Sequence, residues 1–315
     1  AIHSSWAKAV KVLPEYCVVH KQDWFVRETY KPATDKDDMS FLSRNFEKHF
    51  NERPFLNHSC FLFLTKTTKE RMRMQSNFSS LCRGNIIPKE VNKDTSVKFL
   101  EAVGQFERIM NDSGFIRLTR ISSDEITGTD TSAGLIEKYF ALSLDDTTCL
   151  EDLELGADGL RVGSKHVCLH TLSDAEDLPG RIGTDMRYEK LSTDRSDCRL
   201  SFASPVGLLL SCDHIYNQYL FIEDSAENLR KFEKSARNMQ SLSRYSRGNQ
   251  INKEWIDQYL NEAHLFGLTS IRAHFNVLAW SDDVEELKHI RNDVGSQLAL
   301  MECKPRHNTV DAATL

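Results

Sequence analysis

Val284, Leu287, Ile290, Val294, Leu298 and Met301 step along the chain by three, three, four, four and three residues. That spacing puts six apolar side chains on one face and predicts a helix over 282–302. Ser281 stands where a cap belongs, with Asp282 and Asp283 in the first turn, where the helix dipole favours negative charge. The preceding "RAHFNVLAW" holds β-branched and aromatic residues and no glycine or proline, so a strand is expected over 271–280. A strand over 215–222, intervening helices, the strand 271–280 and the helix 282–302 make most of a split β-α-β layout. Its final strand is absent from the pattern.

The rest of the chain reads in the same way. Ile2, Trp6, Ala9, Val10 and Leu13 share a helical face, and Pro14 stops that helix. "EYCVVHKQDWF" follows as a strand, so the chain opens on the second half of a β-α-β unit. Leu42, Phe46 and Phe50 mark a helix, with Asp35, Asp37 and Asp38 near its start. "SCFLFLT" is apolar without alternation, as in a strand covered on both faces. Val97, Leu100, Val103, Phe106 and Met110 mark a further helix, "FIRLTRI" a strand, and Leu135–Leu142 a short helix. Composition shifts near 145, and short apolar runs separated by glycine signals predict a meander or hairpin over 148–173. "CRLSFAS" and "HIYNQYLFIED" are expected strands. A helical hairpin then carries Ala226, Leu229, Phe232, Ala236, Met239 and Leu242 on one arm. Its break is "SRGNQ". The second arm carries Trp255, Ile256, Tyr259, Leu260 and Ala263, and Gly267 ends it. The fold class is α+β: two mixed α/β lobes with antiparallel or mixed sheets and helices on one face, partly ferredoxin-like. The lobes are 1–145 and 146–315. Both ends read as cut from a longer polypeptide.

Composition narrows the function. At 40% hydrophobic and 27% charged residues, the chain is too apolar for a disordered one. No apolar run approaches the ~18 residues of a membrane span, and "AIHSSWAKAV" lacks the apolar core of a signal peptide. A net charge of −6 argues against nucleic-acid binding through bulk charge, although a local basic patch remains open. The eight cysteines form no CxxC pair, which suits free thiols in a reducing compartment.

Four stretches hold candidate chemistry. "GLRVGSK" (Gly159–Lys165) is the nearest approach to a phosphate-binding loop. It has one residue too few between the glycines, and His166 stands where Ser or Thr should bind magnesium. It leads into "HVCLHTL", a strand, so a hairpin turn fits better. His166 and His170, with Cys168 between, share a strand face, but a zinc site would need ligands from elsewhere. Cys212 and His214 are too close in sequence to argue for a catalytic pair. Arg230, Lys231, Lys234, Arg237, Arg244, Arg247 and Lys253 concentrate positive charge on the helical hairpin, with Tyr245 among them. They point to an acidic partner or DNA phosphates, or form a solvated face. Arg237, Arg244, Tyr245 and Arg247 are the candidate interaction surface. "TKTTKERMRMQS" is a second basic stretch and a candidate docking arm.

"IHSSWAKAVKVLPEYCVVHKQDWF", "GLRVGSKHVCLHTLSDAEDLP", "YNQYLFIED", "NMQSLSRYSRGNQI" and "RAHFNVLAWSDDVEELKHIRNDV" resemble the TraG family of Bacteroidetes conjugative transposons. That family is similar to the ATPases that energise type IV secretion channels. The resemblance spans nearly the whole chain and falls on the region ahead of the family's RecA-like motor. It implies a non-motor region that docks a motor to a conjugation channel and helps it oligomerise. ATP and magnesium would belong to the motor, so no catalytic residue, cofactor or metal is expected here. The implied partners are other channel subunits, the chain's own motor and further copies of the protein. The implied location is cytoplasmic, at the inner face of the inner membrane and held there through partners. A nucleic-acid-contacting module built on the basic hairpin is the alternative.

Overall fold

The computed structural model describes residues 2–30, 39–51, 53–69, 91–156, 159–172, 175–180, 182, 185–243 and 245–308. The fold is α+β. Its main sheet runs β2 (Pro54–Lys66), β1 (Cys17–Thr29), β8 (His214–Ile222), β9 (Ile271–Ser281), β5 (Lys165–Leu172), β4 (Gly159–Val162) and β3 (Leu153–Gly156). The short β10 (Arg306–Asn308) also pairs with β5. Strands β6 (Met186–Arg187) and β7 (Arg199–Leu200) form a separate two-stranded sheet. The chain divides into two compact units, one of 1–20, 63–119 and 219–273 and the other of 21–62, 120–218 and 274–315. Each unit therefore takes chain from both sides of residue 145, and β1, β2, β8 and β9 pass from one unit to the other.

In the first unit, α1 (Ile2–Val12) packs on α3 (Lys93–Asp112). Trp6 meets Phe106 edge-on at 5.8 Å, and Ala9, Val10, Ala102 and Met110 are buried. The buried face of α3 is rotated from the expected stripe, leaving Val97 and Leu100 exposed. Asn92 caps α3 by accepting the Thr95 N–H. "FIRLTRI" forms no strand. An apolar run becomes a strand only where a neighbour takes its ladder bonds. Here the Leu118 N–H donates to the Asn111 side chain at 2.7 Å. Helices α6 (Ser225–Leu242) and α7 (Arg247–Phe266) form the hairpin between β8 and β9. Gly267 closes α7 in the left-handed conformation, its N–H on the Ala263 carbonyl.

In the second unit, β4 and β5 join through the two-residue turn Gly163–Ser164, with Gly163 at φ 57°. One apolar cluster joins Cys168, Leu172, Tyr216, Val277 and Ala279 to Leu287, Ile290, Val294 and Leu298 of α8 (Val284–Leu300). A second cluster holds Trp24, Val167, Leu169, Ile215, Leu278 and Trp280 with Leu142 and Tyr139. Tyr139 lies on α5 (Leu135–Ala141). The short helix α4 (Ser123–Thr127) has a capping box between Ser122 and Glu125. Helix α2 (Phe41–Asn51) buries no side chain, so Phe41, Leu42 and Phe46 stay exposed. Asp35, Asp37 and Asp38 lie outside the described residues.

The split β-α-β unit exists, but not where the pattern placed it. β9 and β10 both run antiparallel to β5, so they are parallel to each other with β5 between them. Helix α8 is the crossover, and β10 is the final strand that the pattern lacked. Its three residues, Arg-His-Asn after a proline, carry little apolar strand signal. β8 and β9 are instead antiparallel neighbours. The Trp280 N–H donates to the Asp213 carbonyl and the Glu223 N–H to the Ser270 carbonyl. An out-and-back helical hairpin returns the chain to the end it left, so the next strand must run the other way. "CRLSFAS" contributes only the two residues of β7, because a turn of π-helix (Pro205–Leu209) follows closely.

Candidate functional site

The hairpin is built from two amphipathic helices that cover each other. Phe232 and Tyr259 meet at 5.0 Å between ring centroids. Asp224 caps α6 through the Glu227 N–H, and Ser246 caps α7 through the Gly248 N–H. In these two helices only Ala263 is fully buried. Trp255, expected on the packed face, is 67% exposed, and Leu265 and Phe266 are 76% and 68% exposed.

Tyr245 and Arg247 come together at the hairpin tip. They line a groove of about 490 Å³ with Ser243, Ser246, Gln250, Ile251 and Glu254. Tyr245 is 85% exposed, its N–H donating to the Leu242 carbonyl. Arg237 does not line the groove. It lies exposed on α6, its Nε donating to the Glu233 carbonyl at 3.3 Å. Arg244 lies outside the described residues, as does most of the second basic stretch.

Between Arg230 and Lys253 the chain has seven basic side chains and one acidic, Glu233. Two of the seven are neutralised locally: Lys231 pairs with Glu227 at 3.2 Å and Lys253 with Asp257 at 3.6 Å. Arg230, Lys234 and Arg237 fall at i, i+4 and i+7, so they share one face of α6. Those three and Arg247 make no ion pair among the described residues. Surface pairs hold little free energy, so the unpaired charges can rearrange toward a partner.

Sequence reasoning placed Trp255 wrongly, and a signal for its position existed. Ile256, Leu260 and Ala263 point one way around α7, whereas Ile251, Trp255 and Leu265 point the other. A single partner helix covers only one of those faces.

The other candidate residues make defined contacts in this fold. Lys165, the lysine of "GLRVGSK", donates to the Ala141 and Leu142 carbonyls at 2.7 and 2.9 Å. Its ammonium thus closes the C-terminus of α5, where positive charge is favoured. Burial pulls its pKa down, while Asp282 and Asp213 pull the other way. His214 is fully buried and stacks on Phe25 at 4.7 Å. Its ring nitrogens meet the backbone carbonyls of Cys212 and Val206 at 2.8 and 3.0 Å, so its polar contacts go to main chain and not to the thiol. Burial pushes the Cys212 thiol up to about 12, far from a thiolate nucleophile. His166, Cys168 and His170 share a face of β5. Among the described residues, no group of three or more His, Cys, Asp or Glu side chains is placed to hold a metal ion. Among the described residues, no helix is long and apolar enough to cross a membrane. No protein-family model matches the chain, and no curated protein matches it.

Proposed function

We propose that this chain is the non-motor region of a conjugation ATPase and docks the motor to a DNA-transfer channel through its helical hairpin. The resemblance to the TraG family supports the setting: a cytoplasmic module at the inner face of the inner membrane, with ATP and magnesium bound by the motor. One observation carries the docking role. The hairpin leaves Tyr245, Trp255, Leu265 and Phe266 exposed and carries four basic side chains without ion pairs among the described residues. Exposed large aromatics together with arginine are the residue types that dominate protein interfaces.

The test is transfer frequency in the full-length protein carrying Arg237→Glu and Arg247→Glu. Docking through the hairpin predicts that transfer is abolished, the melting temperature is unchanged and a channel subunit disappears from pull-downs. Wild-type transfer with the same unchanged melt would overturn the reading. A DNA contact would instead show as uniformly weaker binding to any sequence. Its salt dependence would be shallower by about one unit of slope for each phosphate that the variant no longer neutralises.

A further inference from the structure

A second exposed surface answers the hairpin in both charge and polarity. It lies around β3, the terminal strand of the sheet path. From Asp145 to Glu154 the chain carries Asp145, Asp146, Glu151, Asp152 and Glu154 and no basic residue. Lys138 occupies Asp146, and Arg161 occupies Glu154. Asp145, Glu151 and Asp152 are exposed and make no ion pair among the described residues. Between these acids stand Leu150, Leu153 and Leu155, each at least half exposed. Among the described residues β3 pairs with β4 alone, and an edge strand is a ready site for association.

The two surfaces thus mirror each other. The hairpin offers Arg230, Lys234 and Arg237 on α6 and the exposed Trp255, Leu265 and Phe266 on α7. The edge offers Asp145, Glu151 and Asp152 with Leu150, Leu153 and Leu155. We infer that the hairpin of one copy docks on the acidic, leucine-bearing β3 edge of a second copy. This rests on reading the hairpin as a docking surface, and it names the occupant. Because two different patches meet, the contact is head-to-tail, and an open assembly ends on one unused hairpin and one unused edge. Opposite charges on the two patches would steer the encounter and fix its register.

The experiment uses the full 315-residue chain and sedimentation equilibrium at low and physiological salt. One variant reverses the hairpin: Arg230→Glu, Lys234→Glu and Arg237→Glu. A second reverses the edge: Asp145→Lys, Glu151→Lys and Asp152→Lys. Each variant alone should self-associate at least tenfold more weakly than the wild type. Mixed, they should associate with each other, because the basic hairpin of the second variant meets the acidic edge of the first and the acidic hairpin of the first meets the basic edge of the second. A chain carrying both reversals should self-associate again, which shows that neither set acts by unfolding. Wild-type self-association in either single variant would overturn the proposal, as would a monomeric wild type. If the wild type is monomeric while the hairpin reversal still abolishes transfer, docking through the hairpin stands and its partner is another subunit.

Discussion

Helices α8 and α7 teach opposite lessons from similar patterns. Both carry large apolar residues at helical spacing. α8 places its stripe inside one unit: Leu287, Ile290, Val294 and Leu298 are at most 6% exposed and pack on β5, β8 and β9 residues. α7 buries one residue, Ala263, and leaves Trp255 two-thirds exposed. Periodicity reports that a helix has an apolar face. Whether the chain supplies a cover for that face depends on what stands beside it. α8 lies across a sheet several strands wide, whereas α7 packs mainly on α6 among the described residues, and a single helix covers a narrow stripe.

Charging the α8 stripe should produce the largest effect. Ile290→Asp places an unpaired carboxylate against Val277 and Ala279, with no polar partner in that cluster. A loss of about 3–5 kcal/mol in urea unfolding is expected. A loss below about 1 kcal/mol would put Ile290 on an open face and erase the contrast with α7.

A smaller effect comes from the polar pocket on β1. Asp23 is 6% exposed at its side chain and accepts from Lys21, from His58 at 3.0 Å and from Gln218 at 3.3 Å. Burial alone would raise its pKa, but the Lys21 hydrogen bond and charge, with His58 and Cys60, hold it below the usual value. A carboxylate with a depressed folded pKa contributes stability in full above its unfolded pKa, about 3.9. That stability is lost as pH falls through the folded value. Asp23→Asn should therefore cost about 2 kcal/mol at pH 7, and the gap to wild type should close below about pH 4. Urea unfolding of both proteins at pH 7 and pH 3 measures it. A gap that widens in acid would mean that the carboxylate is not the stabilising form.

What was legible in the sequence follows the same division. The strand and helix over 271–302 were readable because β-branched and apolar residues keep one period over long stretches. Even there the cap moved: Asp283, not Ser281, accepts the first-turn N–H, and the Ser281 hydroxyl bonds Glu286. The turn at Gly163 was readable from its glycine and serine. "FIRLTRI" misled because its aromatic and β-branched residues suit a strand while no neighbouring strand pairs with them among the described residues. β10 was unreadable because three polar residues carry no pattern, and only its pairing to Thr171, His170 and Leu169 makes it a strand. Of the candidate surface, the charge at Arg237 and Arg247 and the aromatic at Tyr245 were visible as composition. The exposure of Trp255 and Phe266 was not, because it depends on which elements pack on α7, and among the described residues that is mainly α6.

The smallest effect on stability bears on the largest claim, that the second apolar face of α7 serves a partner rather than the chain's own core. The direct measurement is thermal and urea unfolding of the isolated chain carrying Trp255→Ser and Phe266→Ser. The account predicts stability within about 0.5 kcal/mol of wild type, as for surface positions away from special features. A loss above about 2 kcal/mol would contradict it and place Trp255 and Phe266 in a core of this chain.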